Sequence, residues 1–448
     1  YDGSRETLTN FPALVKLSED LIPGFDYDDF LSSTEDDGWN ELRFTDGTET
    51  NVLPYEVEKW DVGGTSYVWV AVNELTPTNT AIKSIWVYWG KAGETAPQTY
   101  TTNGAVWDDD FLGVWHLTTT NDSTSAGNHG TIYGATRTLV DTDTAAAGGI
   151  DFAASGDWLD LADYGSHPNI TWSCWFTAAA FDAAQWDGLL SSTTWQAGSI
   201  HFALDDDSAW VHPVMKVDDG SGRAHLNNTS GTVLSANQLY YAVITYEESS
   251  GDFILYLNAS VEDSTTAAPT IDAIVVDGMC LSHDGGADAR ILNGTIDEAR
   301  ISSTNRSADW IWAEYRNIVA NETDFISYGS AQENQGMAWQ GFTNRVAITI
   351  ESDDIDEDLT DWTLVFDQSF AGVFTSADGP LDPNSDRSAR SDGGDIRFSS
   401  DEDGESRLAC DIRDWSPSAT PGSATCEVAV KVPAVSSSAD TTIYLWWG

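Results

Sequence analysis

The sequence predicts an all-β, multidomain chain in which two related antiparallel sandwiches flank a central jelly roll. Three observations carry this: a chain length of 448 residues, a surplus of strand-forming aromatics, and a set of strand-like segments that occurs twice in the same order. The length exceeds what one hydrophobic core usually organises. The 20 Trp and 15 Tyr against 3 Met favour strands over helices.

The repeat divides the chain. Leu42-Arg-Phe-Thr-Asp-Gly, Leu53-Pro-Tyr-Glu-Val-Glu-Lys-Trp, Val68-Trp-Val-Ala-Val and Ile85-Trp-Val-Tyr-Trp-Gly stand early. Ile396-Arg-Phe-Ser-Ser-Asp, Leu408-Ala-Cys-Asp-Ile-Arg-Asp-Trp, Val428-Ala-Val-Lys-Val and Ile443-Tyr-Leu-Trp-Trp-Gly follow in the same order. Each alternates apolar and polar residues between Gly, Asp or Pro, the pattern of a half-buried antiparallel strand. Leu8-Thr-Asn-Phe also matches Leu359-Thr-Asp-Trp, which gives sandwiches over 1–104 and 337–448. The late copy opens with Trp339-Gln-Gly-Phe-Thr-Asn-Arg-Val-Ala-Ile-Thr-Ile, an evident strand with no early counterpart, so the first copy is expected to lack its first strand.

Between the copies, residues 105–332 hold many short strand-like runs, among them Gly113-Val-Trp-His-Leu, Ile170-Thr-Trp-Ser-Cys-Trp-Phe, Phe253-Ile-Leu-Tyr-Leu-Asn and Thr295-Ile-Asp-Glu-Ala-Arg-Ile. Such spacing reads as a jelly roll. Ser307-Ala-Asp-Trp-Ile-Trp-Ala-Glu-Tyr-Arg is the one convincing helix, before the polar linker Ser330-Ala-Gln-Glu-Asn-Gln-Gly.

The formal charge of -52, from 72 acidic and 20 basic residues, repels phosphate backbones and anionic lipid, which argues against nucleic-acid and membrane-surface partners. No apolar run is long enough to span a bilayer, and the first residues lack the basic and apolar regions of a signal peptide. Cys410 and Cys426 flank a Pro-Gly loop between two strand-like runs, placed for a cross-strand disulfide and an oxidising compartment. Cys174 and Cys280 are either a second pair or buried thiols.

The middle segment resembles the concanavalin-A-like, laminin-G-type jelly rolls. The resemblance rests on Gly113-Val-Trp-His-Leu, Asp122-Ser-Thr-Ser-Ala-Gly-Asn-His-Gly, Ile150-Asp-Phe with Trp158-Leu-Asp-Leu, and Leu292-Asn-Gly-Thr-Ile-Asp-Glu-Ala-Arg-Ile. The flanking copies resemble the bacterial domain of unknown function 2341, which accompanies such jelly rolls in large secreted or surface proteins. The resemblance implies an extracellular or cell-surface protein and a Ca²⁺ site at Asp122, Asn128 and Asp297, with the loop carrying Asp284 and Asp288 as a weaker alternative.

Catalysis has no foothold in the sequence. Jelly-roll glycosidases carry paired carboxylates along one strand, and the nearest string here, Glu351-Ser-Asp-Asp-Ile-Asp, reads as a polar turn. For saccharide stacking the candidates are Trp186, Trp195 and Trp210 with His201 and His212, in the least regular part of the jelly roll. Asn-x-Ser/Thr sequons stand at Asn121, Asn169, Asn227, Asn228, Asn258, Asn293, Asn305 and Asn321, all in the middle module.

Two functions follow as expectations. The first is a non-catalytic subunit of a surface fibre, in which the edge left by the missing strand accepts a strand from a neighbouring copy and builds a head-to-tail homopolymer. The alternative is an adhesin-type module that binds glycans, and a polysaccharide-degrading enzyme is a distant third.

Overall fold

The structure is a computed structural model that describes residues 5–30, 38–47, 51–77, 84–89, 96–134, 138–140, 145–152, 156–181, 186–193, 195–205, 209–217, 222–227, 230–266, 273–283, 290–319, 325–329, 344–352, 355–366, 396–401, 406–416, 418 and 425–447. It is almost entirely β, with one α-helix among the described residues. Residues 1–330 form one compact unit and residues 331–448 a second.

The first unit opens with a sandwich of six strands: β1 (Leu8–Leu17), β2 (Arg43–Asp46), β3 (Val52–Leu53), β4 (Tyr55–Lys59), β5 (Ser66–Leu75) and β6 (Ile85–Tyr88). They form two sheets, β1-β5-β4 and β3-β2-β6. Phe44, Tyr55, Val68 and Val70, the inward residues of the alternating runs, are fully buried. Two irregularities mark the first sheet. Asn10 adopts a left-handed φ of 52°, and the β4/β5 register shifts between Val57 and Lys59.

The jelly roll follows with β7 (Phe111–Trp115), β8 (Thr131–Tyr133), β9 (Thr138–Val140), β10 (Gly149–Phe152), β11 (Trp158–Asp160), β12 (Ser166–His167), β13 (Asn169–Ala178), β14 (Leu190–Ser192), β15 (Ile200–His201), β16 (Val214–Lys216) and β17 (Arg223–His225). It continues with β18 (Tyr240–Glu247), β19 (Asp252–Leu257), β20 (Ser260–Thr266), β21 (Ile274–Val275), β22 (Met279–Leu281) and β23 (Gly294–Ser302), and ends in the helix α1 (Ala308–Val319). The large sheet runs β20-β19-β18-β13-β23-β10-β9, with β7 also paired to β23. Opposite it lie the short sheets β14-β22-β11-β8, β12-β21 and β15-β16-β17. Trp115, Trp172, Phe176, Ile244 and Phe253 from the large sheet meet Leu159, Ile200, Met215 and Leu281 in one core.

The outer face of the large sheet is covered twice. On one part lies α1, whose Ile311 packs with Trp175, Tyr241 and Val243. On another lies the sandwich. Phe11, Leu14 and Trp69 share a core with Trp107, Phe111, Val114 and Trp310, so sandwich and jelly roll are fused by apolar packing across residues 1–330.

The second unit contains β24 (Asn344–Ile350), β25 (Leu359–Phe366), β26 (Arg397–Ser399), β27 (Arg407–Leu408), β28 (Cys410–Ser416), β29 (Thr425–Val435) and β30 (Thr441–Trp447). Its sheets, β25-β29-β28 and β24-β30-β26-β27, repeat the order of the first sandwich with one strand more among the described residues. The irregularities repeat as well: Asp361, at the place of Asn10, has φ 51°, and the β28/β29 register shifts between Ile412 and Asp414. A shared bulge in an equivalent strand pair is a designed feature and supports the internal repeat read from the sequence.

The cross-strand disulfide expected between Cys410 and Cys426 is not formed. Cys410 stands opposite Val430 and Cys426 opposite Trp415, so the two thiols are several residues out of register. At roughly 3.3 Å per residue that separation far exceeds the Cα span of about 7 Å that a disulfide tolerates. Cys174 and Cys280 are buried thiols in different sheets. Burial alone pushes the Cys174 thiol far up.

Candidate functional site

Two clusters of polar side chains stand out in residues 1–330. The first lies where the sandwich meets the large sheet. β23 is buried along its whole length although it contains Asp297, Glu298 and Arg300. A bulge explains how. The register against β13 shifts between Ser173 and Trp175, and Glu298 takes a left-handed φ of 48°. The shift keeps Ile296, Ala299 and Ile301 in the jelly-roll core while the three charged residues share the opposite face.

There His116, one residue beyond β7, places Nδ1 2.6 Å from Glu298 Oε1. The sandwich contributes Glu56 and Glu58 from β4. Glu58 Oε2 lies 3.8 Å from His116 Nδ1, and Glu56 Oε2 lies 3.7 Å from Nε2. Indole N–H groups hold both carboxylates, Trp69 donating to Glu58 and Trp107 to Glu56, each at 2.9 Å. The Trp69 ring stacks on the imidazole at 5.4 Å. Arg300 bridges Glu298 at 2.8 Å and Glu314 of α1 at 2.9 Å, and the Tyr241 hydroxyl donates to Glu314 at 2.6 Å.

Five carboxylates thus surround two cations in a largely buried seam, and their ionisation splits accordingly. Burial pushes Glu58 up to about 8, with Glu298 adding to the rise. Burial likewise raises Asp297, assisted by Glu298 and Glu58. Burial opposes ionisation of Glu298 too, but His116 and Arg300 outweigh it and hold that carboxyl low. For His116, burial is overcome by Glu298 and Glu58, so the imidazole stays protonated well above its usual range. Glu58, His116 and Glu298 bring ligand-type atoms within 4.8 Å of one another, a spacing a metal ion could use. In the arrangement seen, Glu298 is engaged by His116 and Arg300, and Glu58 by Trp69.

Of the residues expected to hold Ca²⁺, Asp122 and Asp297 accept hydrogen bonds from neighbouring amides. Asp122 is a loop organiser: its Oδ1 accepts from the Val114 and Thr124 amides, and its Oδ2 from the Asn128 amide and the Thr124 hydroxyl. Asp297 accepts from the amides of Ala145, Ala146 and Glu298. Lone pairs filled by backbone donors leave little for a cation. Asp284 and Asp288 lie outside the described residues.

The second cluster lies on the outward face of β15-β16-β17. Ile200, Met215 and Ala224 point into the core, so the alternating residues His201, Val214, Lys216, Arg223 and His225 point away from it. His201 and His225 both stand opposite Val214. Trp195 packs on His201 with ring centroids 4.2 Å apart, Arg223 lies 5.1 Å over the Trp195 ring, and Lys216 Nζ donates to the Trp195 carbonyl at 3.1 Å. Trp186 packs on His212 at 5.0 Å. His212 is fixed by Asp205 at 2.6 Å and by His225 at 3.3 Å. Burial lowers His225, and His212 and Arg223 lower it further, so it is neutral at physiological pH.

Four of the five residues expected to contact a saccharide, Trp186, Trp195, His201 and His212, therefore meet in this row. Their roles differ. Trp186 and Trp195 are half-buried, whereas His201 and His212 are buried beneath them and act as supports. Trp210 is half-buried, next to the bridge between Leu204 and Val211, and its ring is not stacked in the row. Arg223, Lys216 and His225 were missed because a two- or three-residue strand has too little alternation to show its outward face. The His116 seam was missed because its members come from segments far apart in sequence.

The sequons also separate. Asn121, Asn293 and Asn305 are exposed, and Asn169 and Asn258 half-buried. Asn227 is corrected: its side chain is buried, with Nδ2 donating to the Val211 carbonyl at 2.8 Å, and cannot carry a glycan in this fold. Asn228 and Asn321 lie outside the described residues.

No helix among the described residues is long and apolar enough to cross a membrane. Residues 154–312 match the model of the Concanavalin A-like lectin/glucanases superfamily, and residues 38–116 match that of the domain of unknown function DUF2341. No curated protein matches the chain. Among solved structures, domain 4 of the extracellular arabinanase AbnA from Geobacillus stearothermophilus, in complex with arabinotriose, is similar at 14% identity and a TM-score of 0.38, over 45% of this chain and 97% of that one. The receptor binding domain of botulinum neurotoxin D is similar at 16% identity and a TM-score of 0.37, over 46% of this chain and 52% of that one, about half the toxin domain's length. What these matches bring together is a concanavalin-A-like jelly roll preceded by a DUF2341 segment.

Proposed function

We propose that the chain is a non-catalytic, extracellular carbohydrate-binding protein whose jelly roll recognises a saccharide on the outward face of β15-β16-β17. The observation that carries this reading is the row Trp195, His201, His225, His212 and Trp186, in which the buried imidazoles of His201 and His212 support half-buried indoles. An indole held in this way offers an apolar face to sugar C–H groups, and adjacent N–H groups reach hydroxyls, the mixture that small-ligand sites use. The match of 154–312 to the Concanavalin A-like lectin/glucanases superfamily supports a saccharide as the ligand.

Among the described residues of the row the carboxylate is that of Asp205, and it is engaged by His212, whereas glycoside hydrolysis uses two carboxyl groups about 5–9 Å apart. The test is a glycan array followed by titration of any ligand found, comparing the wild-type chain with Trp186→Ala and Trp195→Ala. Each substitution is expected to weaken binding roughly tenfold or more, as loss of a contact residue does. Undiminished affinity in both variants, or cleavage of the bound glycan that Asp205→Asn abolishes, would remove the proposal.

A further inference from the structure

Two imidazoles at the sheet β15-β16-β17 stand nitrogen to nitrogen. His225 of β17 lies opposite Val214 of β16, and His212 precedes Val214 by two residues. Their facing atoms are His212 Nε2 and His225 Nδ1, 3.3 Å apart, with ring planes inclined at 46°. Backbone hydrogen bonds fix the neighbourhood. The His212 N–H donates to the Ala203 carbonyl at 2.8 Å, and the Asp205 N–H donates to the Trp210 carbonyl at 2.9 Å.

The partners assign the protons. Asp205 Oδ2 lies 2.6 Å from His212 Nδ1, and an ionised carboxylate only accepts, so Nδ1 carries the proton and Nε2 of the neutral ring keeps its lone pair. That lone pair faces His225 Nδ1. With its own proton on Nε2, His225 turns a second lone pair toward the same point. Two imidazole ligands at a zinc–nitrogen distance of about 2.0–2.1 Å, held at the tetrahedral angle, stand about 3.3 Å apart. The separation in the structure equals that span. Asp205 completes the pattern, because a carboxylate on the far N–H is the usual second partner of a metal-bound histidine and raises its basicity.

We infer that His212 and His225 form a two-imidazole site for a divalent transition metal of the zinc class, with Asp205 orienting His212. Imidazole selects such ions over Ca²⁺ and Mg²⁺, which prefer oxygen ligands. His212 is 4% exposed and His225 half-buried, so solvent reaches the pair at His225 and water fills the remaining coordination positions. Trp186 packs on His212 at 5.0 Å, so a bound ion fastens the ring that supports this indole. The site requires no saccharide, and the metal alone is its probe.

The experiment titrates the full chain, first cleared of metal by a chelator, with Zn²⁺ in a calorimeter. Excess Ca²⁺ is present throughout to occupy surface carboxylates, and the 7 histidines are followed by long-range ¹H–¹⁵N spectra. Calcium-resistant binding of Zn²⁺ is expected, with the ring nitrogens of His212 and His225 shifting together. His225→Ala is expected to weaken it at least tenfold and Asp205→Asn about tenfold, the usual cost of losing such a partner. Both variants are first shown to be folded by their melting transitions; should either fail to fold, the wild-type spectra decide. Absence of calcium-resistant binding, shifts confined to other histidines, or full affinity in His225→Ala would overturn the inference.

Discussion

His116 and Glu298 form a charged pair 2.6 Å apart with side chains 6% and 1% exposed, and the carboxylate of Glu58 from the neighbouring sandwich closes over them. The pair belongs to the jelly roll; the lid belongs to another sheet. Removing His116 takes from Glu298 one of its two cationic partners and leaves Arg300, which costs about 1.5–3 kcal/mol, the worth of a hydrogen bond to a charged group. His116→Ala is therefore expected to lower the urea-unfolding free energy of residues 1–330 by that amount, while Asp411→Ala, on an exposed pair in the second sandwich, is expected to change unfolding negligibly.

The seam also sets a pH dependence. Glu58 retains its proton up to about 8 in the folded chain, against an ordinary value of 4.5, so the folded state holds a proton that the unfolded state has lost. Stability then falls as pH rises between these values. The raised His116 acts in the same direction, its contribution full below 6.5 and lost as pH climbs through its folded value. Glu298, held low, contributes above 4.5 and is lost on acidification. Maximum stability is expected at mildly acidic pH. Thermal melts between pH 5 and 8 check this, and Glu58→Gln is expected to flatten the decline.

Reducing agent is expected to leave the melting temperature unchanged, because the register keeps Cys410 and Cys426 apart. Thiol labelling of the native chain should spare Cys174, buried and held as the neutral thiol. A reductant-induced loss of stability would contradict the register.

Asn227 has its backbone N–H on Asp263 at 2.6 Å and its side-chain amide on the Val211 carbonyl. Expressed in a glycosylating host, the chain should show glycopeptides at exposed sequons such as Asn121, Asn293 or Asn305 and none at Asn227. Asn227→Ala is expected to cost about 1–3 kcal/mol through the unsatisfied carbonyl.

Gly294 lies where β23 passes between β10 and β13, and a Cβ there would stand 1.9 Å from the Thr177 carbonyl oxygen. Backbone cannot yield as a side chain can. Gly294→Ala is expected to destabilise the chain by about 3 kcal/mol, measured by denaturation, or to abolish soluble expression.

Alternation carried most of the fold into view. Phe44, Tyr55, Val68 and Val70 are buried as their parity required, and the segment around Trp310 is helical. Bulges were not legible, because one inserted residue at Glu298 reverses parity without altering composition. With that reversal Asp297 and Arg300 come to share a face, and Arg300 pairs with Glu298 and Glu314. Asp122 was legible as a loop residue, but whether its oxygens serve amides or a cation depends on loop closure. Trp186 and Trp195 were recognisable as ring candidates; their imidazole supports became visible only when the short strands set His201 and His225 across Val214.

The ends of the first unit are stitched together. Arg5 pairs with Asp309 at 2.8 Å, Leu14 N–H donates to Asn317, and Lys16 N–H donates to the Tyr328 hydroxyl. A pulling force along the polypeptide would enter at β1 and leave just after α1, crossing this short latch in shear. The jelly roll between them would hang outside the line of tension, its outward face undistorted under load until the latch ruptured.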